Sequence, residues 1–474
     1  MIMIYLIATL ASATAILTPP VPRSINYFGT LRMRSESWNW FQPASPGVDG
    51  NYTFSHNQLR FGGVLPPGHR VSGLRPFETL FEVEAPLLLG LPKHAIAPAP
   101  EGSFGAGAAY RLANGSQQGS LFIKQAYIRM PQTADSPEVQ IGRMELMDGS
   151  EIMAKNADLA YIQTQRTSSR LFGTDPFTAV GRSMEGVKLT RTRPGHVLTA
   201  AAFYPVTGAF NLDGGDTITK VRQVYFADSR STQNTSNRWF VESFTDARGI
   251  KAIDNASVST TGAINVTTVG GHAITAATRG AVRTDALFWG AMQGGEWGSS
   301  RIQSNAALAE VGIKHPALGG WWLRGGGAHF SGDSNPTDNK HATFYPQLTA
   351  PRLYGRTPIY TEANVNDIFL MLIKRNKKET LRLETHGLYL DKLEDRWYSL
   401  GGAFQATGPF GLVAKPSGGS RSLGSLVDIS YDVTMNPRDT VSLYAGYFHG
   451  GDVVKASYAG QSAFLGFMQI VHKL

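Results

Sequence analysis

The sequence predicts an all-β protein, a transmembrane antiparallel β-barrel of about 18 strands with short periplasmic turns and long extracellular loops. Three observations support this fold class. Segments of about ten residues alternate small or polar side chains with apolar ones. The connections between these segments alternate between short and long, and the last residues form an alternating segment that runs to the end of the chain.

The composition narrows the class of protein. The chain has 474 residues with 44 Lys+Arg against 36 Asp+Glu, which gives a formal net charge of +8. It contains no Cys, which excludes disulfide scaffolds and Cys-ligated metal sites. The 52 Gly and the 17% of charged residues are typical of a turn-rich chain rather than a helical one. Beyond the N-terminus no apolar run reaches about 18 residues, which rules out a bundle of membrane helices and leaves a membrane barrel open.

We interpret residues 1–15 as a signal peptide and residues 16–474 as a single barrel domain. The stretch 1–17 is apolar and ends at Thr18-Pro19-Pro20, and Ala13-Thr14-Ala15 has small residues at the spacing that a signal peptidase prefers. No Lys or Arg precedes the apolar stretch, so a buried first helix is the alternative. The sequence therefore predicts an exported, basic protein.

The alternation is clearest in residues 424–434. Val427, Ile429 and Tyr431 fall on one face of a strand, and Asp428 and Asp432 fall on the other. A soluble β-sandwich would show the same pattern with the apolar face turned inward. Alternation alone therefore predicts strands without deciding between a sandwich and a membrane barrel.

Connection lengths favour the barrel. Short polar turns are predicted at 193–196, 315–318, 375–379 and 435–439. Loops of about thirty residues, rich in Gly, Pro, Asn and Ser, are predicted at 85–118, 147–180, 245–271, 331–363 and 391–422. Compact soluble domains rarely need so many long loops, whereas barrels of the outer membrane have short turns on one side and long loops on the other. We expect 331–363 or 391–422 to gate the external opening.

The C-terminal segment is typical of a closing barrel strand. Phe464, Met468, Ile470 and Leu474 share one parity. Outer-membrane barrels commonly end in such a strand with an aromatic last residue, which the barrel assembly machinery recognises. Leu474 departs from that pattern, and an ordinary C-terminal strand is the alternative. We expect the assembly machinery and outer-membrane lipid to be partners of the chain.

Several segments resemble the alginate export family of outer-membrane porins. They are LRMRSE at 31–36, LRFG at 59–62, IGRMEL at 141–146, GRSMEGV at 181–187, Gly332-Asp333 with Asp338, Thr343-Phe344, Tyr354-Gly355, and LGSLVD at 423–428. Two departures concern the substrate more than the fold: Met184-Glu185 replaces the usual aromatic-Asp pair, and Val427 replaces an acid before Asp428. The resemblance implies an export channel for an anionic polysaccharide or oligosaccharide in the outer membrane of a Gram-negative-type bacterium.

If the apolar faces meet lipid, the charged residues of the strands point into the lumen, because Arg or Lys on the lipid face at mid-membrane costs about 2–4 kcal/mol. The expected basic lumen residues are Arg32, Arg34, Arg60, Arg129, Arg143, Arg182, Lys188, Lys220, Arg222, Arg283 and Arg382. Their expected acidic partners are Glu36, Glu145, Glu384, Asp428 and Asp432. The planar fork of Arg suits the carboxylates of a polyuronate. The alternative is that these groups form salt bridges that only stiffen the barrel.

Other functions remain open at this point. A porin for uptake of small anions or sugar acids fits the same pattern, as does a secreted soluble β protein that binds acidic glycans. We expect no enzyme activity and no cofactor, because no G-x-S-x-G elbow or phosphate-binding loop occurs. We expect no metal, since a turn explains the acidic residues at 333–339 as well as a calcium site does. Nucleic acid is not expected because the basic residues are spread over the strands.

Overall fold

A computed structural model describes residues 24–69, 75–253, 261–348, 355–399 and 412–474. The signal peptide predicted at 1–15 lies outside these residues, and so does Tyr354. Eighteen strands close into one antiparallel barrel, in which the first strand pairs with the second and with the last. No helix in the described ranges combines the length and the hydropathy needed to cross a bilayer.

The strands follow one another around the barrel in chain order. The barrel strands are β1 (Asn26–Asn39), β2 (Asn51–His69), β3 (Phe77–Leu89), β4 (Phe122–Met130), β5 (Glu138–Met144), β6 (Met184–Arg193), β7 (His196–Pro205), β8 (Val221–Ser231), β9 (Thr235–Lys251), β10 (Thr261–Arg279), β11 (Val282–Trp297), β12 (Ser300–Lys314), β13 (Trp321–Phe330), β15 (Val365–Arg375), β16 (Glu379–Leu390), β19 (Ser422–Thr434), β20 (Asp439–Gly450) and β21 (Ser462–Lys473). The loops hold the short strands β14 (Lys340–His341), β17 (Trp397–Ser399) and β18 (Val413–Lys415). They also hold the helices α1 (Ala106–Asn114), α2 (Ala157–Ile162) and α3 (Asp452–Lys455), and a π-helical turn (Gln163–Thr167) follows α2. A single 3-10 turn, Pro316–Leu318, lies between β12 and β13.

The ends of the barrel differ as predicted. The turns predicted at 193–196, 315–318, 375–379 and 435–439 all lie at one end, which is the periplasmic end. Long connections at 90–121, 145–183, 331–364 and 391–421 lie at the other end. The loop predicted at 245–271 is wrong, because β9 continues to Lys251 and β10 begins at Thr261. The polar and glycine-rich composition of that segment hid an alternation in which Ile264 and Val266 are buried while Asn265 and Thr267 are exposed, as expected of a strand.

Apolar side chains lie on the outer face of the barrel wall and most of the predicted charged ones on the lumen face, as the strand alternation predicts. Val427 is 57% exposed on the outer face, whereas Asp428 is 2% exposed on the lumen face. Phe464, Met468 and Leu474 lie on the outer face, as the parity of the last strand predicts. An exposed apolar outer face is the surface that lipid covers in a membrane barrel.

The hydrophobic core lies inside the barrel, where the extracellular loops pack together. Phe41 lies with its ring centroid 4.6 Å from Tyr458, 5.9 Å from Phe448 and 6.1 Å from Trp397. Fully burying one such side chain contributes roughly 1.5–3 kcal/mol. This cluster packs the loops that follow β1, β16 and β20 against one another. Packed loops therefore close part of the extracellular end of the barrel.

Candidate permeation path through the lumen

The loop 145–183, which we call the lumen loop, runs from the extracellular end of the barrel to its periplasmic end. Asp158 at the start of α2 forms ion pairs with Lys314 at 2.6 Å, with Arg283 at 3.0 Å and with Arg375 at 3.7 Å. Each of these cations lies beside a periplasmic turn. The Arg375 guanidinium also donates to the carbonyl of Ala157 at 3.0 Å. The lumen loop is therefore fastened at the periplasmic mouth.

The sequence around α2 explains why a helix begins at this depth. Asn156 caps the helix, and its side-chain oxygen accepts from the backbone N–H of Asp158 at 2.9 Å and of Leu159 at 3.4 Å. Asp158 in the first turn also complements the positive end of the helix dipole. The cap thus places the carboxylate of Asp158 at the tip of the lumen loop, where it meets the periplasmic cations.

Polar side chains of the wall bind the returning part of the lumen loop. Arg32 donates to the carbonyl oxygens of Pro176 and Thr178. Gln58 donates to Ala179 at 3.0 Å, and Lys124 donates to the carbonyl of Val180 at 2.9 Å. Arg32, which was predicted as a substrate-binding residue of the lumen, therefore anchors residues 176–178 to the wall, and its contact with substrate stays a prediction.

Buried ion pairs fasten the lumen loop further. Arg166 pairs with Glu310 of β12 at 2.6 Å, and Arg238 of β9 pairs with Asp148 at 3.0 Å. Burial raises the pKa of Asp148 above its ordinary value, and Arg238 opposes that rise. Breaking a buried pair by removing one partner typically costs about 3–5 kcal/mol. These pairs resist movement of the lumen loop as a whole.

The loop 331–364 enters the lumen as well and contacts the lumen loop there. Arg170 pairs with Glu362 at 2.8 Å, and a bridge of the parallel type joins Phe172 to Leu348. Burial raises the pKa of Glu362 to about 8, although Arg170 opposes the rise. The inward position agrees with the gating role expected for 331–363, but the sequence did not indicate that 145–183 reaches deeper.

Most of the predicted charged residues lie on the lumen face or at its edge. On that face or directly above it are Arg32, Arg34, Arg60, Arg129, Lys188, Arg283, Arg382, Glu36, Glu145, Glu384, Asp428 and Asp432. Many of them form ion pairs with one another or with further acids. Arg60 pairs with Glu82 at 2.7 Å and with Glu145 at 3.0 Å, and Arg129 pairs with Glu78 at 2.8 Å. The lumen therefore contains alternating charges rather than a ring of unpaired arginines.

Arg143 and Arg222 lie on the outer face, which corrects the predicted lumen positions. Arg143 has the parity of the exposed Ile141 and lies 3.7 Å from Glu185 at the extracellular end of β5. Arg222 has the parity of the exposed Val224 at the extracellular end of β8. At the rim these cations are close to water and avoid the cost of a mid-membrane position. Strand parity alone could not reveal this, because the rim tolerates charge on both faces.

Two further predicted residues lie in loops rather than on strands. Lys220 is exposed just before β8, and Arg182 is buried just before β6. Burial lowers the pKa of Arg182 to about 9. Its backbone N–H donates to the carbonyl of Thr174 at 2.6 Å, so it belongs to the base of the lumen loop. Of the two Gly-Arg segments, the one at 181–182 thus supports the lumen loop, whereas Arg143 donates to the carbonyls of Ile123 and Gly215 outside it.

An open cavity of about 520 Å³ separates the lumen loop from the wall formed by β1, β19, β20 and β21. Arg34 of β1 lies at its edge and donates to the carbonyl of Phe177 at 2.9 Å and to the side-chain oxygen of Gln469 at 2.6 Å. Its guanidinium carbon lies 3.7 Å from the centroid of the Phe177 ring. The planar group thus already stacks on an aromatic face, which is a favourable arrangement.

A second arginine lines the same cavity. Arg356 donates to Asp432 at 3.0 Å, and its guanidinium carbon lies 5.9 Å from the Phe467 ring. Arg356 was missed from the sequence because it lies in a long loop, where no periodicity tells which way a side chain points. Its position results from the inward fold of 331–364. Arg34 and Arg356 are the two guanidinium groups that a solute in this cavity meets.

Comparison with known proteins agrees with this architecture. The family model described as alginate export matches residues 111–466. Among solved structures, OccAB1 of Acinetobacter baumannii is similar with a TM-score of 0.58 and 8% identity, covering 97% of this chain and 100% of that one. The outer membrane protein opdK of Pseudomonas aeruginosa is similar with a TM-score of 0.54 and 10% identity, covering 95% and 99%.

These likenesses to solved structures concern the fold alone, and no curated protein matches the sequence. The family match covers more than half of the chain and extends from the loop before β4 into β21, the last strand of the closed barrel. The match to the alginate export family, together with the closed β-barrel, indicates a location in the outer membrane of a Gram-negative bacterium. The chain therefore belongs to the alginate export family of outer-membrane β-barrel channels.

Proposed function

We propose that this channel passes an anionic saccharide chain, of the uronate class, along the space between the lumen loop and the wall of β19, β20, β21 and β1. The single observation that carries this proposal is the pair Arg34 and Arg356 in one 520 Å³ cavity with Phe177 and Phe467. A guanidinium group binds a carboxylate through two parallel hydrogen bonds. Aromatic rings offer an apolar surface to the faces of a sugar ring.

The acids beside the arginines support transport rather than tight binding. Asp432 pairs with Arg356, and Glu36 lies 3.4 Å from Arg34. A solute carboxylate therefore competes with fixed carboxylates for the same donors. Conduction requires binding that is favourable enough for entry and weak enough for exit. We propose a passive channel in which no bond of the solute is changed.

A second candidate is a porin for small carboxylates, and the path of the lumen loop favours it. A loop fastened at both ends of the barrel leaves room for a monosaccharide or an aromatic acid more readily than for a continuous polymer. One solved OpdK structure, which resembles this chain with a TM-score of 0.55 and 10% identity, carries vanillate according to its description. The two candidates differ in the size of the solute, not in its charge.

Current block in planar bilayers tests the proposal. We expect oligouronates of several sugars to interrupt the ionic current of the purified channel at lower concentration than a single uronic acid does. Neutral oligosaccharides of equal length serve as the solute control. Because a hydrogen bond to a charged group contributes about 1.5–3 kcal/mol, R356A should raise the half-blocking concentration by about tenfold or more.

Matched variants separate substrate contact from loop anchoring. R34K keeps the charge but loses the planar fork, so it should weaken block by oligouronates and leave the open-channel current near that of the parent. R222A removes an arginine from the outer face and should change neither the block by oligouronates nor the open-channel current. Equal block by neutral and anionic chains would refute the anionic substrate. Block by monomers alone would favour the small-carboxylate porin.

A further inference from the structure

We propose that Glu384, His386 and Asp428 on the lumen wall form a binding site for a divalent transition-metal ion, with Zn²⁺ as the best match. Glu384 and His386 lie two residues apart on β16, and Asp428 is the partner of Glu384 on the neighbouring strand β19. One ligand atom of each side chain lies within 4.8 Å of the others. All three side chains are buried.

The atoms that point into this cluster have no hydrogen-bond partner among the residues that the structure describes. They are both carboxylate oxygens of Glu384, Nε2 of His386 and Oδ1 of Asp428. A buried polar atom without a partner costs roughly 1–3 kcal/mol, and more when it is charged. Such atoms are uncommon in native proteins, and here several converge on one point. A bound cation would satisfy them together.

The other nitrogen of His386 is already oriented for metal binding. Its Nδ1 lies 3.0 Å from Oδ2 and 3.1 Å from Oδ1 of Asp367 on β15, and Oδ2 also accepts from the hydroxyl of Tyr360 at 2.6 Å. A histidine that ligates a metal through one nitrogen usually donates its other N–H to a carboxylate. Asp367 thus fixes the ring so that Nε2 faces Glu384 and Asp428.

The local charges match a divalent cation. The carboxylates of Asp367, Glu384 and Asp428 face one guanidinium, that of Arg382, which lies 3.4 Å from Glu384. Two other arginines near the cluster already form ion pairs outside it: Arg166 pairs with Glu310, and Arg356 pairs with Asp432. With a neutral imidazole, the cluster keeps an excess of two negative charges, which a divalent ion would balance.

A doubly protonated His386 between two acids is the competing explanation. The distance from Nε2 to Glu384 is 3.9 Å, which is too long for a hydrogen bond. An imidazolium would therefore leave the carboxylate oxygens of Glu384 unsatisfied. A metal ion placed between the three groups needs only small side-chain movements to reach ligand distances of about 2.0–2.2 Å.

The donor set indicates the class of metal. One imidazole nitrogen with carboxylate oxygens suits Zn²⁺ and its first-row neighbours, whereas Ca²⁺ and Mg²⁺ prefer oxygen ligands alone. Gly355 of the loop 331–364 faces the cluster: a Cβ there would lie 3.2 Å from Oδ2 of Asp428 and 4.0 Å from Nε2 of His386. The absence of a side chain leaves space for a water ligand.

Metal titration of the full-length barrel tests this site. The protein in detergent is stripped with EDTA, titrated with Zn²⁺ and passed over a desalting column, and the retained Zn²⁺ is measured by mass spectrometry. We expect about one Zn²⁺ per folded chain, and at least tenfold less retained by H386N and by E384Q. D367N keeps the three ligands but removes the carboxylate that orients His386, so we expect the affinity for Zn²⁺ to fall by about 10- to 100-fold.

Two controls change the same residue types elsewhere in the lumen. H56N alters a buried histidine that contacts Glu36, and E242Q alters a buried acid that contacts Gln223. Both should retain Zn²⁺ like the parent. Only chains that migrate as closed barrels in unheated gels are compared, so loss of folding is not counted as loss of metal. No retention of Zn²⁺ by the parent, or equal retention by H386N, E384Q and the parent, overturns the site.

Discussion

Asp158 attaches the lumen loop to the periplasmic mouth through ion pairs. This attachment predicts how the lumen loop controls the channel. The variant D158N removes the charge that joins the loop to Lys314, Arg283 and Arg375 but keeps the size of the side chain. These ion pairs lie in a partly exposed region, where each pair contributes about 0.2–1 kcal/mol. The joint loss of the three pairs therefore weakens the attachment by about 0.6–3 kcal/mol.

This loss converts into a measurable change of conductance. Because 1.4 kcal/mol corresponds to a factor of ten, the population with a detached loop tip should rise by about 3- to 150-fold. Single-channel recordings of D158N should show a larger mean conductance and more frequent transitions than the parent. High salt should reduce the difference, since exposed charges are screened over about 8 Å at physiological ionic strength.

The control variant changes a more exposed acid at the other end of the barrel. Asp338 pairs with Lys340 at 3.2 Å in the loop 331–364 and does not contact the lumen loop in the described structure. D338N should conduct like the parent. If D158N and D338N both match the parent in conductance and in the frequency of transitions, the periplasmic attachment does not limit the current and the reasoning is refuted.

Further predictions concern processing, selectivity and loop docking. The mature protein should fractionate with the outer membrane and begin near Ile16, and mass analysis that finds Met1 on the exported protein would contradict the predicted signal peptide. The pore should prefer anions, and a reversal potential in a salt gradient that indicates cation selectivity would contradict the role of the lumen arginines. Burial lowers the pKa of Lys415 from 10.5 to about 8, where its amine contacts the carbonyl of Glu101 at 2.9 Å. Since the undocked loop binds more protons, docking of residues 412–421 should strengthen as the pH rises from about 8 to 10.5. Hydrogen exchange should show this in the parent and not in K415M, and equal pH dependence in both would exclude Lys415 as the cause.

The face of each strand could largely be predicted from local sequence. The alternation of Val427 and Ile429 with Asp428 has the period of an extended chain, and the structure places these side chains on opposite faces. The short turns and the closing strand were predictable for the same reason, since neighbouring residues determine them. Arg143 and Arg222 are the exceptions, because parity does not tell where a strand leaves the membrane.

The interior of the barrel was not predictable in the same way. Arg32 binds the carbonyl of Pro176, which lies 144 residues away, and Asp158 binds cations that follow it by more than a hundred residues. Arg356 reaches the cavity only because its loop folds inward. None of these contacts has a local period, so no pattern along the chain indicates them.

A membrane barrel with a charged interior could be predicted from local sequence, because strand periodicity, turn chemistry and the cost of charge in lipid all act over a few residues. The folded chain was needed to reveal which charges face the open cavity, which of them hold the lumen loop, and that Glu384, His386 and Asp428 lie together. These contacts depend on the closure of the barrel wall and on two loops that fold into the lumen. Both bring together residues that are distant in the chain.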